Sequence, residues 1–363
     1  MGTPHLTPDE RPANAPLILR FPTAAETARD ALRLRGAYEK FISRNQKLNR
    51  SPATVVTYET ALRHWERYSG DPPVVEITDA TLDEFASRFL ADGATTGNLK
   101  KVWTNLRHIF RRLSRREVGN PRGLPHGTQL LEWVPYLEVV ADEPPPPRVI
   151  TDPETWSRIY RAARIAAHPQ RAQQPAPLVW RAAFVVWANY GLRRSDLVAL
   201  EWDEHVKFDA RCPDPRIDLD NPHGWLVFIP WKTRRKKPQP LMLPLNEITR
   251  RHLEAIRGPR SKVFQLSARP ATLHNWRRKI QAVAGIEDPY TFKDFRATCN
   301  VAWNRLSRGL GEHVLGHAPR GVNQTHYFRA LADLVEFAPL LPQPEAFLEF
   351  SPADLDQQLR LFE

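Results

Sequence analysis

Apolar residues between positions 24 and 118 recur at the spacing of amphipathic helices, in four successive stripes. Leu34, Tyr38, Phe41 and Ile42 form the first. Ser51-Pro52 has the form of an N-cap followed by proline at the first helical position, and Val55, Tyr58, Leu62 and Trp65 continue it. Leu82, Phe85, Phe89 and Leu90 follow Thr78-Asp79 as a third stripe. In the fourth, Leu99, Val102, Trp103, Leu106, Ile109, Phe110 and Leu113 share one side. Lys100, Lys101, Arg107, Arg111, Arg112, Arg115 and Arg116 share the other, and no acid interrupts 99–116. Solvated helix faces usually mix signs, so this face points to a phosphate-bearing partner. The pattern predicts a four-helix DNA-binding module over 24–118.

The periodicity then breaks. Gly119, Pro121, Gly123 and Pro125 stop the fourth helix, and Pro144 to Pro147 predict an extended spacer, so 119–150 is expected to be a proline-rich linker. Beyond it, Thr151-Asp152-Pro153-Glu154 has the form of a helix start, with Trp156, Ile159 and Tyr160 at core spacing. Leu178 to Leu200 is strongly apolar and helical, broken at Gly191. From Val206 to Leu245 the period becomes that of strands. There Trp225–Trp231 and Pro240–Leu245 flank the basic turn Lys232–Lys237 as a β-hairpin, and helical segments resume near Thr249. The fold class expected is mainly α with a small β-sheet (α+β), the second domain running over 151–340. No internal repeat and no glycine-rich phosphate loop is present. Residues 1–23, with five prolines and cancelling charges, are expected to form a disordered or loosely packed lead.

Composition sharpens this picture mainly through charge. The 363 residues suit two domains, and 52 Lys+Arg against 41 Asp+Glu give a formal charge of +11. That excess is partitioned. Residues 24–118 hold 17 basic and 12 acidic residues, a net of +5, whereas 330–363 hold seven acids and one arginine, a net of −6. Thirty-four prolines, roughly twice the usual share, argue against one long helical array. Two cysteines, Cys212 and Cys299, exclude a disulfide framework and a multi-cysteine zinc site. The start lacks a basic segment followed by an apolar core, so no secretory signal is expected, and no apolar run is long enough to span a bilayer. A cytoplasmic, nucleoid-associated protein with no membrane partner is the expectation.

Four short stretches in the second domain carry candidate chemistry. They are Tyr190-Gly191-Leu192-Arg193-Arg194-Ser195-Asp196-Leu197, then Trp231-Lys232-Thr233-Arg234, then Thr291-Phe292-Lys293-Asp294-Phe295-Arg296, and finally Leu315-Gly316-His317 with Tyr327 ten residues on. Taken singly each has an ordinary reading. Arg193 suits a helix C-terminus, the run Lys232–Lys237 a solvated turn, and Tyr327 a core position. In this order, behind a basic helical module, they resemble the tyrosine recombinase (phage integrase) family. That family shows a Gly-Leu-Arg-x-Ser-Glu box, a hairpin lysine, a His-x-x-Arg box, and Leu-Gly-His followed by a nucleophilic tyrosine. The similarity covers roughly residues 24–340.

The resemblance implies a SAM-like core-binding domain followed by a catalytic domain, together clamping duplex DNA. It implies cleavage and rejoining of DNA without metal, ATP or other cofactor. Arg193 and Arg296 would clamp the non-bridging phosphate oxygens, remaining cationic at any working pH. Tyr327 would attack to give a 3′-phosphotyrosyl intermediate, Lys232 would protonate the leaving 5′-oxygen, and His317 would hydrogen-bond the phosphate or assist the tyrosine. Lys293 stands where the family box begins with histidine; it keeps a cation but loses imidazole chemistry. Tyr327 lies one residue beyond the common spacing, and His326 occupies the usual place. Arg211–Gly224 reads as a loop insertion, and Lys236 or Lys237 lie near enough in sequence to replace Lys232. Asp196 and Asp294 are expected to orient Arg193 and neighbouring backbone, and Arg234 and Arg235 to contact DNA. A metal reading of His313, His317 and His326 is weaker, because no Glu sits between the first pair as in metalloproteases.

The acidic amphipathic tail, 341–363, suits a protein surface; the resemblance implies docking on a neighbouring protomer in a DNA-bound homotetramer, with packing in cis as the other option. Two further functions fit the same residues: a DNA-binding protein on this scaffold that no longer cuts, and a type IB topoisomerase.

Overall fold

A computed structural model of the chain describes residues 31–117, 119–140, 145–170, 174–232, 234, 240–317 and 324–350, with backbone only for Asn49 and 324–328. The lead 1–23, Arg235, Lys236, Lys237, the side chains of His326 and Tyr327, and tail residues 351–363 lie outside this description. The chain forms two compact units, Met1–Pro145 and Pro146–Glu363.

The first unit is a four-helix bundle. Helices α1 (Leu34–Tyr38) and α2 (Arg44–Asn49) are joined through one π-helical stretch, Glu39–Ser43, into a single helical run. Ser51 caps α3 (Pro52–Tyr68), its hydroxyl accepting from the Thr54 amide at 3.2 Å, with Pro52 in the first turn. Thr78 and Thr81 form a reciprocal cap on α4 (Asp79–Ala91), and Thr95 caps α5 (Thr96–Leu113). Each stripe read from the sequence faces the core, with Phe41, Val55 and Leu90 half-buried and the rest buried. Trp65 sits at the centre with its ring 5.4 Å from Phe85 and 5.7 Å from Phe110.

The segment after α5 does more than link. Leu130, Leu131 and Leu137 enter the same core, and the Tyr136 amide donates to Asp79 at 2.7 Å. The glycines and prolines of 119–125 end the helix, but the apolar residues downstream still gain by covering the bundle, roughly 1.5–3 kcal/mol for each fully buried leucine. The residues 119–140 described here therefore pack with the first unit.

In the second unit, Asp152 caps α6 (Pro153–Ala162). Helix α7 (Ala176–Tyr190) is buried on nearly all sides, as its largely apolar sequence requires, and ends at Gly191 in the left-handed region. There follow α8 (Arg194–Ala199), α9 (Trp202–His205) and a three-stranded antiparallel sheet in the order β1 (Val206–Lys207), β2 (Trp225–Phe228), β3 (Leu241–Pro244). The hairpin register pairs Trp225 with Pro244 and Phe228 with Leu241. Pairing stops short of the strand limits read from the sequence: Pro230 has no amide to donate, so β2 closes at Phe228. Helices α10 (Glu247–Ala255), α11 (Pro270–Val283), α12 (Phe292–Leu306), α13 (Leu310–Val314), α14 (Gln324–Phe337) and α15 (Glu345–Leu348) complete the unit. Phe184 and Trp187 of α7 pack against Phe292 and Phe295 of α12, the contact on which the site is built.

The part of the acidic tail that is described packs in cis. Phe347 and Phe350 enter the core, Arg161 reaches Glu349 at 2.8 Å, and Arg251 donates to the Phe350 carbonyl. Beneath them the buried His252 ring stacks 4.2 Å from Phe350. Its Nδ1 lies 2.8 Å from the Ile248 carbonyl, and its Nε2 lies 2.7 Å from the Tyr160 hydroxyl. Burial, with Arg251 and Arg181 nearby, lowers its pKa to about 4, though the Ile248 carbonyl opposes this. Unfolded, the same ring titrates near 6.5, so between those values the unfolded chain binds the extra proton. Stability due to this residue is therefore complete above pH 6.5 and is lost as pH falls toward 4, by about 3 kcal/mol at most. Denaturant melts across that range should show the decline, and His252→Gln, neutral throughout, should flatten it.

Candidate active site

Two turns and the start of one helix in the second unit bring their side chains together. The first is the end of α7. Gly191 has φ +53°, and a Cβ there would lie 2.9 Å from Leu315 Cδ2 and 3.0 Å from the Cys299 Cβ. Only glycine meets both demands, and the turn places Arg193 at the start of α8. Gly191→Ala combines left-handed strain with overpacking and is expected to cost about 2–4 kcal/mol in chemical denaturation. A loss below about 1 kcal/mol would show that the turn has slack.

The second element is α12, whose first turns carry Lys293, Asp294 and Arg296. Arg296 is held by backbone. Its Nη1 donates to the Gly191 carbonyl at 2.7 Å and its Nη2 to the Leu315 carbonyl at 2.5 Å. Burial first, and then Arg193, lower its pKa to about 10, so it stays cationic near neutrality. The third is the turn after α13, where Gly316 (φ +65°) delivers His317. His317 Nε2 lies 3.2 Å from Arg296 Nη2 and 3.4 Å from Arg193 Nη2. Residues distant in the sequence thus meet around one imidazole.

Asp196 ties in the hairpin. Its side chain is only 2% exposed; Oδ2 lies 3.8 Å from Arg193 Nη1, and Oδ1 accepts the Trp231 amide at 2.9 Å. Burial raises its pKa against the pull of that amide, Arg193 and Arg296. Lys232, exposed at the hairpin turn, is thereby one residue from a backbone group fixed to the Arg193 helix. Exposed Trp231 carries the Arg234 guanidinium 3.2 Å from its ring centre, a cation–π stack.

Of the two aspartates, Asp196 is the one beside Arg193, whereas Asp294 holds backbone. It closes the capping box of α12 with Thr291, accepts the Arg148 amide at 2.8 Å, and sits 3.7 Å from the Arg148 guanidinium. It anchors the start of the second unit to α12 and has no bond to Arg193. Lys293 is exposed on the first turn of α12. Tyr327 falls in helix α14, and its side chain is outside the described residues.

Glu312, which no motif in the sequence marks, hydrogen-bonds His317. Helical spacing could not flag it, because the two face each other only across the turn that ends α13. As for a metal site, both ring nitrogens of His317 have protein partners, and among the described residues no cluster of three metal-ligating side chains occurs.

In the first unit, α5 buries its seven apolar residues, leaves Lys100, Lys101, Arg107 and Arg111 exposed, and part-buries Arg112. The helix ends at Leu113, so Arg115 and Arg116 lie on the extended stretch beyond it and not on its face. Ser114 takes extended dihedrals there, and this stretch bridges to Leu124 and Leu131. Some of these cations also have local partners: Arg111 donates to the Gly119 carbonyl at 3.1 Å, Arg116 to that of Gly123 at 3.1 Å, and Arg115 lies 3.8 Å from Glu132.

This architecture, a helical bundle followed by a helical unit with a small antiparallel sheet, is the tyrosine recombinase fold. Three solved structures show it. A lambda integrase dimer bound to a COC′ core site matches with a TM-score of 0.58 at 13% identity, over 84% of this chain and 79% of that one. XerH site-specific recombinase bound to difH matches at 0.52 and 12%, over 86% and 80%. The Tn1549 transposon integrase in complex with a circular intermediate DNA matches at 0.51 and 14%, over 83% and 95%. No family model matches the sequence, and neither does any curated protein sequence.

Proposed function

We propose that this protein is a site-specific DNA recombinase or integrase that breaks and rejoins strands through a 3′-phosphotyrosyl intermediate. The observation that carries the proposal is the convergence of Arg193 and Arg296 on His317, with the Lys232 hairpin tied to Arg193 through Asp196. The fold shared with DNA-bound recombinases supports the same reading.

A phosphodiester is already anionic and gathers more charge as it becomes pentacoordinate. Two fixed guanidiniums aimed at its non-bridging oxygens stabilise that charge with no reorganisation at the moment of reaction. The Tyr327 oxygen forms a bond to phosphorus as the bond to the 5′-oxygen breaks; the tyrosine loses its proton, and Lys232 gives one to the leaving oxygen. The ester stores the energy of the broken bond, so attack by a 5′-hydroxyl reseals a strand without ATP. Lys293 at the mouth of α12 supplies further positive charge. Lys100, Lys101, Arg107, Arg111, Arg112, Arg115, Arg116 and Arg234 are proposed DNA contacts, and the homotetramer on DNA is the proposed assembly. Among the described residues no helix is long and apolar enough to cross a membrane.

The test is a nicked suicide duplex carrying the protein's own target, selected by footprinting on the DNA flanking the gene. Covalent capture, with the adduct mapped to the peptide that contains Tyr327, is expected. Sequence-specific retention without capture would favour the non-cutting reading, for which Lys293 and the shifted tyrosine speak. Relaxation of an arbitrary supercoiled plasmid would favour a topoisomerase.

A further inference from the structure

We propose that Glu312 is a positioning residue that holds the His317 ring with its proton on Nδ1, so that the ring faces the reaction as an acceptor through Nε2. The inference rests on the recombinase reading for its consequence, but not for its geometry.

The chain reverses after α13, and the His317 amide donates to the Glu312 carbonyl at 2.8 Å. That reversal lays the ring beside the same residue's carboxylate, with Nδ1 3.0 Å from Oε2. The other carboxylate oxygen accepts from Asn300 Nδ2 at 3.4 Å, on the helix that also carries Arg296. Gly311 makes this approach possible, since a Cβ there would lie 2.1 Å from Asn300 Oδ1 and 2.5 Å from its carbonyl oxygen.

On the opposite edge, Nε2 faces Arg193 Nη2 and Arg296 Nη2. Guanidinium groups only donate, so Nε2 must present its lone pair. The proton of a neutral ring then sits on Nδ1, and Glu312 is its acceptor. Two independent neighbours demand one tautomer. The alternative would aim an N–H at two cations and a lone pair at a carboxylate.

A resting His317 of this kind does not donate to the phosphate. Once the phosphate engages the guanidinium N–H groups, Nε2 is freed to take the proton that the Tyr327 hydroxyl loses. The new bond joins the tyrosine oxygen to phosphorus, the bond to the 5′-oxygen breaks, and that oxygen takes its proton from Lys232. The imidazolium formed keeps its Nδ1–H on the Glu312 carboxylate, which stabilises the charge.

Two measurements on the full chain test this. In ¹⁵N-histidine NMR without DNA at about pH 8, with the signal assigned by loss in His317→Ala, the Nδ1–H tautomer is expected. An Nε2–H ring in the native protein would overturn the proposal, whatever the enzyme does to DNA. In single-turnover cleavage of the suicide duplex, Glu312→Ala is expected to slow capture on the order of 10–100-fold with unchanged DNA affinity. Glu312→Gln, whose amide oxygen still accepts from Nδ1–H, should recover most of the rate. Equal rates for Glu312→Ala and the native protein, or losses shared by both variants together with weakened binding, would overturn it as well. A native protein that shows the Nδ1–H tautomer and never captures DNA would sink the recombinase reading and leave the tautomer assignment standing.

Discussion

Replacing Tyr327 with phenylalanine is expected to abolish covalent capture of DNA and to leave DNA affinity unchanged. The change removes one oxygen and keeps the ring, so nothing in the phosphate clamp or the basic helix is altered. Among the described residues, Arg193, Arg296 and His317 are held by the Gly191 and Leu315 carbonyls, Asp196 and Glu312. Binding should therefore persist with the same salt dependence, because that slope counts phosphate contacts and not chemistry. Gel retention and denaturing capture, run on one nicked duplex, separate the two effects. An adduct that survives in Tyr327→Phe would assign the nucleophile elsewhere, and His326, one position earlier, would be the next residue to change.

Arg296→Lys should reduce the capture rate on the order of 10³-fold, the upper range for loss of a charge-stabilising donor. Lysine keeps the charge but cannot reach two carbonyls and the Nε2 edge of His317 at once, as the planar fork does. The Gly191 and Leu315 carbonyls would be left short of a donor. Unsatisfied buried acceptors add a stability cost of about 1–3 kcal/mol. Single-turnover capture and denaturant melts on the same sample check both. A loss under tenfold with native stability would show that Arg193 alone carries the phosphate clamp.

Much of the local structure was legible in the chain. The stripes ending at Ile42, Trp65, Leu90 and Leu113 became the four helices of the first unit, and Ser51 and Thr78 cap helices where the cap rules place them. The strongly apolar run from Leu178 marked a helix, and Gly191 marked its end. Arg193, Arg296 and His317, named from motif order, do lie within hydrogen-bond reach. Two features ran against the local reading. Residues 119–140 carry breakers typical of a linker and yet cover the first core. The cations at 115 and 116 continue the composition of a helix that has already ended at Leu113.

By itself, then, the sequence determined the helical stripes, the caps at Ser51 and Thr78, the hairpin and the roster of charged residues, since periodicity, caps and breakers act between near neighbours along the chain. Only the tertiary structure decided what those residues do for one another. The grip of two backbone carbonyls on Arg296, the tie from Asp196 to the hairpin and the pairing of Glu312 with His317 arise because burying α7 against α12 brings three separate turns together. Long-range burial sets those distances, and no local spacing encodes them.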